Sequence, residues 1–337
     1  MHVPDGFFNA VTSISAGVVA AAGVAVCLRG ARRELDDRTA PMAGLVAAFI
    51  FAVQMLNFPV AAGTSGHLLG GALAAILVGP YTGVLCMAVV LLVQGVFFAD
   101  GGLTALGVNI TIMGIVTVLV GWGIFRLVTT MARGKVVVAA FLAALISVPA
   151  SALVFTLLFW IGGTAPIEVG TVAAAMGGVH LLIGIGEGLI TAVTVGAVLA
   201  VRPDLVYGAR GLAKPLELRG TGGTTTVVPE ERPVTTGGGL RPFLLGGVGL
   251  TLVLAGVVSF FASGDPDGLE AVGESEGFLA QQADHLFGRW ALADYGEVGG
   301  IPVGVAGILG VGLVLLIAGA VAWAARNRDK TADKTRV

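Results

Sequence analysis

The stretch from Val136 to Gly162 reads VVVAAFLAALISVPASALVFTLLFWIG and contains no charged residue. A run of this length is enough to cross a bilayer, since a spanning helix needs about 20 apolar residues. The segment has to be helical, because lipid offers no hydrogen-bond partners to an exposed backbone. We therefore predict a transmembrane helix here, and similar apolar runs recur along the chain.

The composition indicates an integral membrane protein. Hydrophobic residues make up 56% of the chain and charged residues only 12%, whereas soluble domains carry roughly 25% charged residues. Glycine is abundant, with 53 residues, and small residues let helices pack closely in a bilayer. Cys27 and Cys86 both lie inside apolar runs, so we interpret them as buried side chains and not as disulfide partners or zinc ligands.

The apolar segments define the predicted architecture. They lie at about 9-29, 42-57, 67-78, 83-98, 105-125, 136-162, 173-201, 242-263 and 302-324. We predict an all-α membrane protein in which the first seven segments form a helical bundle and the last two form a transmembrane hairpin. The third segment is short, and we expect a half-length or tilted element, which is tolerated where it packs against protein.

The basic residues predict the orientation. The first segment is followed by four arginines, Arg29, Arg32, Arg33 and Arg38. Lysines and arginines collect on the cytoplasmic side, so the N-terminus is expected outside and the C-terminus inside a multi-pass protein of the bacterial plasma membrane. With this topology every Lys and Arg except Arg289 faces the cytoplasm. A cleaved signal peptide is not expected, because its positive charge should precede the apolar run.

The chain divides into two membrane modules and a connection. We predict a bundle at 1-201, a flexible cytoplasmic linker at 202-241, a two-helix module at 242-325 and a basic cytoplasmic tail at 326-337. The middle of the linker, 220-239, is rich in Gly, Thr and Pro. Such a composition buries too little apolar surface to fold, which is typical of a flexible joint.

The outer loop of the second module, roughly 264-301, is acidic. It contains a single basic residue, Arg289, beside Asp265, Asp267, Glu270, Glu274, Glu276, Asp284, Asp294 and Glu297. An acidic outer loop can raise the local concentration of cations. An ordinary solvated loop explains the same residues, so both interpretations stay open.

The first two residues form a candidate metal chelate. The amine of Met1, the backbone nitrogen of His2 and its imidazole Nδ1 can close fused rings around one ion, and planar nitrogen sites suit Ni(II), Cu(II) or Co(II). The competing interpretation is a disordered terminus. The predicted topology places His67 on the same side, where its ring could complete the plane and Thr64 or Ser65 could orient it. His67 could equally be an interhelical hydrogen-bonding residue.

Other polar residues lie in or beside the apolar segments. Glu187 is the only carboxylate inside a predicted span, and His180 precedes it by two helical turns on the same face. Ionisable groups at this depth are functional by default, so ion passage or partner coupling competes with a structural hydrogen bond. Asn57 could line the site or bond across helices. No carboxylate is expected near His67, which argues against an intramembrane metalloenzyme.

Several motifs are absent from the chain. It contains no G-x-x-x-x-G-K-[ST] phosphate loop, no H-E-x-x-H and no G-x-S-x-G. ATP hydrolysis by a phosphate loop and hydrolase chemistry therefore lack their expected residues. We predict that the chain is not an enzyme, that it has no cofactor and that it has no nucleic acid partner.

Specific stretches carry a resemblance to a known family. They are Met1-His2-Val3-Pro4-Asp5-Gly6-Phe7, Gly63-Thr64-Ser65-Gly66-His67-Leu68-Leu69-Gly70-Gly71, Gly79-Pro80-Tyr81-Thr82-Gly83, Gln94-Gly95 with Asp100-Gly101-Gly102, and His180-Leu181-Leu182-Ile183-Gly184-Ile185-Gly186-Glu187-Gly188-Leu189-Ile190-Thr191. Over about 1-200 the chain closely resembles the CbiM/NikM substrate-capture subunits of energy-coupling factor transporters for cobalt and nickel. Through Asp265-Pro266-Asp267-Gly268-Leu269-Glu270 the second module resembles their small companion subunit, CbiN or NikN, and the whole is similar to a fusion of the two.

The resemblance implies a function and a ligand set. It implies capture of Co(II) or Ni(II) at the outer face by the Met1 amine, the His2 backbone nitrogen, the His2 ring and the His67 ring. It also implies partners: a transmembrane coupling subunit and two cytosolic ATP-binding subunits, which would drive release of the ion inward. The alternative from another class is a proton-coupled secondary transporter that uses Glu187 and His180. The four nitrogens do not distinguish cobalt from nickel.

Overall fold

The structure is a computed structural model of the chain, and it describes residues 1–61, 63–132, 134–210, 212, 216–219, 225–228 and 239–333. The α-helices in this part are, in order, α1 (Ala10–Gly30), α2 (Thr39–Gln54), α3 (Gly71–Val78), α4 (Pro80–Val93), α5 (Leu106–Asn109), α6 (Thr117–Met131), α7 (Val136–Gly162), α8 (Val169–Val201), α9 (Leu240–Gly256), α10 (Gly268–Glu276) and α11 (Val303–Asp333). Below, the bundle means α1 to α8, and the second module means residues 239–333.

Two helices contain wider π-helical turns. One is Gln94–Phe98, which continues α4, and the other is Ile110–Val116, which joins α5 to α6. Such turns leave carbonyl groups without their usual partner and are frequent at functional sites. Here the Ser151 hydroxyl of α7 donates to Ile112 O at 2.8 Å, so one of these carbonyls is satisfied across the helix interface.

In the described residues four strands form two short hairpins. β1 (Phe58–Ala61) pairs antiparallel with β2 (Thr64–Gly66), and β3 (Leu216–Arg219) pairs antiparallel with β4 (Thr225–Val228). The first hairpin differs from the sequence prediction, which continued the second segment to residue 57. The helix α2 instead ends at Gln54, and the chain turns back on itself before α3.

The prediction of an all-α membrane protein is confirmed, with one refinement. In the described residues seven helices are long and apolar enough to span a membrane: Ala10–Arg33, Pro80–Phe98, Leu106–Met131, Val136–Gly162, Val169–Val201, Leu240–Phe261 and Val303–Arg326. Helix α2 has 16 residues and α3 has 8, which is short of the roughly 20 required. The expected half-length third element is therefore present as α3, which is buried throughout.

The second module packs on the bundle through α2. Helices α9 and α11 both contact α2, and α11 also contacts α4. Gly310 of α11 lies against the ring of Phe51, where a side chain would overlap the ring, and Gly44 of α2 faces Gly319 of α11. Glycines at these positions let the helix backbones approach closely, which strengthens packing in a bilayer.

Basic residues cluster at the end of the molecule opposite to the N-terminus. There Asp37 accepts from Arg326 at 2.6 Å and Asp204 accepts from Arg202 at 2.7 Å. Glu34 accepts from the backbone N–H and the hydroxyl of Thr82 and so caps α4. The N-terminus lies at the opposite end. This separation agrees with the predicted orientation, and which end faces the cytoplasm stays a prediction.

The first part of the predicted linker is structured. Residues Pro203–Leu205 and Tyr207–Ala209 form two 3₁₀ turns. Val206 between them is fully buried, and Gly208 lies against Phe125 of α6. The chain therefore stays attached to the bundle at least as far as Ala209, and Leu212 also packs against its core. Most of 220-239, where a flexible joint was predicted, lies outside the described residues, as does 334-337 of the predicted tail.

Candidate metal site

The N-terminal segment is held across one end of the bundle. The Val3 N–H donates to Asn109 Oδ1 at 2.8 Å, and Asn109 Nδ2 donates back to Val3 O at 3.0 Å. The Gly102 N–H donates to the same carbonyl at 2.8 Å, and the Asp5 carboxylate accepts from the backbone and hydroxyl of Thr104. Met1 is only 2% exposed. In this structure the terminus is fixed and not disordered.

The amine of Met1 lies between two polar side chains. Its nitrogen is 2.5 Å from His67 Nε2 and 2.5 Å from Asp267 Oδ2. The Met1 side chain is buried, and its sulfur lies 3.7 Å from the Ser151 hydroxyl. The buried side chain therefore fixes the position of the amine.

The ring of His67 presents a lone pair to this amine. Its Nδ1 lies 3.0 Å from Leu68 O. A carbonyl oxygen only accepts, so Nδ1 carries the proton and Nε2 is the unprotonated nitrogen. A hydrogen bond of this kind also fixes the ring orientation of metal-binding histidines. His67 is therefore prepared to act as an Nε2 ligand.

The ring of His2 stacks on that of His67. Their centroids are 5.0 Å apart and their planes differ by 21°. His2 Nε2 lies 3.1 Å from Gln94 Oε1, and His2 Nδ1 lies 3.2 Å from Asp100 Oδ1. Gln94 offers an acceptor here because its amide nitrogen donates to the Tyr295 hydroxyl at 3.1 Å. With Nε2 as the donor, the lone pair is on Nδ1, the ring atom that can close a chelate with the backbone nitrogen of the same residue.

The charge state of His2 suits a nitrogen ligand. Burial lowers the pKa of His2 to about 4, although Asp100 acts in the opposite direction. The shift has this sign because burial disfavours the protonated ring. The ring is therefore neutral at neutral pH, as ligation requires.

Asp267 joins the site from the second module. Its Oδ1 accepts from the N–H groups of Leu269 and Glu270, while Glu270 Oε2 accepts from the Asp267 N–H, so the residue forms a capping box at the start of α10. Burial acts to raise the pKa of Asp267, but the ammonium of Met1 and the ring of His67 together outweigh it and hold the pKa well below its usual range. The carboxylate is therefore ionised and pairs with the amine.

A second contact joins the module to the His2 side of the site. The Tyr295 hydroxyl donates to Asp100 Oδ2 at 2.5 Å. Tyr295 and Asp294 adopt left-handed backbone angles, with φ of 50° and 48°, and so does Ala99 next to Asp100, with φ of 54°. Residues other than glycine hold left-handed backbone angles only where the surrounding structure fixes them. Here these angles direct the side chains of Tyr295 and Asp100 towards each other.

A cavity of about 680 Å³ opens beside the two histidines, between the bundle and the second module. Its lining includes His2, His67 and the acidic residues Asp100, Asp265, Asp267, Glu270, Asp294 and Glu297. The predicted acidic loop is therefore not simply solvated, because part of it faces the site. Negative charges along a cleft attract cations into it.

The donor set fits an ion held mainly by nitrogen. Among the described residues no three His, Cys, Asp or Glu side chains converge into a metal cluster. An ion at this point therefore needs the terminal amine or the backbone in addition to side chains. The amine and His67 Nε2 are already adjacent, and imidazole nitrogens suit Ni(II) or Co(II).

Three residues predicted near the site have other partners. The Ser65 N–H donates to Pro266 O and its hydroxyl donates to Asp265 O, both at 2.8 Å. Thr64 pairs within the hairpin. Asn57 lines the cavity beside the histidines, and its carbonyl accepts from the Ser263 N–H at 2.8 Å. The prediction that Thr64 or Ser65 orients the His67 ring is therefore wrong, since the Leu68 carbonyl does so. Ser65 instead fastens the second module to the loop that carries His67.

Glu187 and His180 do not bond to each other. Glu187 accepts from the N–H of Leu69 at 2.6 Å and of Gly70 at 3.1 Å, so it caps α3 and holds the segment that follows His67. His180 Nδ1 donates to Met176 O at 2.8 Å. Its ring lies next to Gly268 of the second module. Its Nε2 has no hydrogen-bond partner among the described residues.

The sequence does not predict the direct contact between the second module and Met1. The sequence predicts no carboxylate near His67, whereas Asp267 Oδ2 lies 3.5 Å from His67 Nε2. The spacing of Asp267 and Glu270 is a capping-box pattern that predicts the start of α10. That pattern carries no information about the contact with Met1.

Two family models match the chain. The model described as the cobalt uptake substrate-specific transmembrane region matches residues 2–205. The model described as the PDGLE domain matches residues 241–327. Together the two matches cover both membrane modules, and the connection between the modules lies outside them.

Named relatives and solved structures agree with this match. The chain is 42% identical over 207 residues to a putative metal transport protein of Haloquadratum walsbyi, covering 61% of this chain and 94% of that protein. It is 42% identical over 206 residues to a putative fused nickel transport protein of Archaeoglobus fulgidus, covering 61% and 68%. It is 35% identical over 213 residues to a cobalt transport protein of Sorangium cellulosum, covering 61% and 94%.

A crystal structure described as a transition metal transporter matches with a TM-score of 0.56 at 26% identity, covering 63% of this chain and all of that one. A truncated transition metal transporter matches with a TM-score of 0.54 at 27% identity, covering 59% and 99%. This chain therefore belongs to the CbiM family of cobalt uptake substrate-specific transmembrane proteins and carries a PDGLE domain in the same polypeptide.

Proposed function

We propose that this chain is the substrate-binding subunit of an energy-coupling factor importer for Co(II) or Ni(II). The observation that carries the proposal is the contact between the Met1 amine and His67 Nε2, with the His2 ring stacked beside them. The ligands are the Met1 amine, the His2 backbone nitrogen, His2 Nδ1 and His67 Nε2. The cobalt and nickel transport proteins among its relatives support the choice of ion.

The site end of the molecule faces the outside of the plasma membrane in this proposal, and the basic end faces the cytoplasm. The acidic cavity then opens to the medium from which the ion arrives. A transmembrane coupling subunit and two cytosolic ATP-binding subunits bind the chain and use ATP hydrolysis to release the ion inward. The absence of a phosphate loop from the sequence supports this division of labour.

Metal analysis of the full chain tests the proposal directly. Protein purified with its native N-terminus, and checked for Met1 by intact mass, is expected to retain one Ni(II) or Co(II) per chain after dialysis against metal-free buffer. A four-nitrogen planar site should also give Ni(II) a diamagnetic, yellow complex. Protein that retains no ion, or retains Mg²⁺ or Zn²⁺ in preference, contradicts the proposal.

Replacing Glu187 with Gln separates this function from proton-coupled transport. Gln offers one acceptor oxygen to two N–H groups, so we expect the free energy of unfolding to fall by about 1–3 kcal/mol. The four nitrogens are untouched, so the Ni(II) affinity should fall by less than about tenfold, which corresponds to 1.4 kcal/mol. Titration calorimetry and thermal unfolding measure the two effects.

The same variant decides between the two mechanisms in cells. Uptake in Glu187→Gln should continue as long as the ATP-binding partners are present and should stop when they are removed. Uptake that ends with Glu187→Gln, and that follows the proton gradient in cells without those partners, would establish the proton-coupled alternative through Glu187 and His180.

A further inference from the structure

Asp267 brings an oxygen of the second module into direct contact with the metal site. Its Oδ2 lies 2.5 Å from the Met1 nitrogen and 3.5 Å from His67 Nε2, and the residue is 9% exposed. Its other oxygen is occupied by the N–H groups that it caps in α10. The two oxygens therefore have separate tasks: one holds the loop in shape and the other faces two proposed ligands.

Asp267 Oδ2, the Met1 nitrogen and His67 Nε2 are close enough together to coordinate one ion. Oδ2, the Met1 nitrogen and His67 Nε2 form a triangle with sides of 2.5, 2.5 and 3.5 Å. Its corner at the Met1 nitrogen is close to a right angle, so the three atoms lie on a circle whose radius is about 1.75 Å, half of the longest side. A first-row divalent ion bonds nitrogen and oxygen at about 2.0–2.2 Å. A position equidistant from all three at that length therefore exists just outside their plane.

The proposed site is complete with four nitrogens, so Asp267 is not required to hold the bound ion. Its Oδ2 nevertheless lies against two of the four nitrogens, the Met1 amine and His67 Nε2. We therefore expect Asp267 to affect the rate at which an ion reaches the nitrogens more than the affinity of the completed site.

The loop that carries Asp267 is fixed relative to the nitrogens. Ser65, two residues before His67, bonds the backbone of Asp265 and Pro266, and the Ala283 N–H donates to Asp5 O at 2.8 Å on the N-terminal segment. Asp267 is also one of the residues that line the cavity. An ion that enters through the cavity therefore meets the Asp267 carboxylate in contact with the nitrogens of Met1 and His67.

We propose that Asp267 is a transfer ligand, which coordinates the arriving hydrated ion through Oδ2 and passes it to the nitrogens of Met1, His2 and His67. In this exchange a water of the ion is displaced by the carboxylate, and the carboxylate oxygen is then displaced by nitrogen. The protons of the Met1 ammonium and the His2 amide, which must leave before these nitrogens ligate, pass to solvent water. This inference rests on the proposed function and deepens it. It gives the PDGLE domain a chemical task at the site of the bundle.

Replacing Asp267 with Asn tests the transfer step. Asn is as good a helix cap as Asp, so the fold of α10 is kept while the charged ligand is lost. We expect the association rate of Ni(II) to fall at least tenfold and the equilibrium dissociation constant to change by less than about threefold. Stopped-flow absorption of the Ni(II) complex, with the purified full chain in detergent, measures the rate, and calorimetry measures the constant.

Glu274→Gln is the matched control, since it removes the same charge from an exposed residue of the same helix, and its association rate should stay within twofold of wild type. An Asp267→Asn rate within twofold of wild type, or faster than wild type, overturns the inference, because the residue would then be only a cap or a competitor of the ion. Wild-type protein that binds no Ni(II) at all contradicts the proposed function itself and is recognised separately.

Discussion

One alanine added before Met1 is expected to lower the affinity for Ni(II) by about 1,000-fold or more, equivalent to at least about 4 kcal/mol. The added residue moves the terminal amine by up to about 3.8 Å and converts the ligating amine of Met1 into an amide. It also removes the ammonium that pairs with Asp267, and breaking a buried pair from one side costs about 3–5 kcal/mol. Calorimetry with protein of verified N-terminal mass measures the loss.

The same alanine added after Val337 is the control, and it should leave the affinity unchanged because it keeps the amine of Met1 free. Thermal unfolding of both proteins shows whether the bundle is intact. An N-terminally extended protein that binds one Ni(II) per chain with wild-type affinity would contradict the assignment of the amine as a ligand, and with it the centre of the proposed function.

Replacing His67 with Ala is expected to have the second largest effect. It removes one of four nitrogen ligands and leaves the three of Met1 and His2. Loss of a residue that only supports a ligand typically costs 10- to 100-fold in metal affinity, so loss of the ligand itself should cost about 100- to 1,000-fold. The fold should persist, because Glu187 still holds Leu69 and Gly70 in place. Calorimetry and the absorption spectrum of the Ni(II) complex report the loss of the fourth nitrogen.

His285→Ala is a control of the same residue type. His285 accepts from the Phe287 N–H at 3.0 Å within the second module, and it makes none of the contacts to Met1. Its replacement should change the Ni(II) affinity by less than about twofold, well below 1.4 kcal/mol. Equal losses in the two histidine variants would show that the effect comes from general destabilisation and not from ligation.

The helices were predictable because a bilayer imposes a strong rule on the sequence. A long run without charge, such as 136-162, has few alternatives to a spanning helix, and the short run at 67-78 correctly indicated a half-length element. The end of α2 at Gln54 was not predictable in the same way. Residues 55-57 are as compatible with helix as with a turn, and the hairpin that follows depends on packing against the second module.

The histidines of the site were predictable from their chemistry, and the carboxylates around them were not. Met1 and His2 are adjacent in the chain, so their chelate is a local property. The contact between Met1 and Asp267 joins positions 266 residues apart, and the Tyr295 contact with Asp100 joins positions 195 apart. Such contacts depend on how two modules dock. Composition and periodicity describe each module alone and carry no information on their docking.

The docked second module and the bundle belong to one polypeptide, and this has a consequence for how the site is maintained. The bundle and the second module are joined through the residues between Ala209 and Leu240, and both of these residues lie at the end of the molecule away from the metal site. Because the two modules are joined covalently, rebinding of the second module to the bundle is an intramolecular step. A second module that dissociates from the bundle therefore rebinds within the same chain and is not replaced by a free copy. The rate at which Asp267 returns to Met1 then does not depend on the concentration of the protein in the membrane.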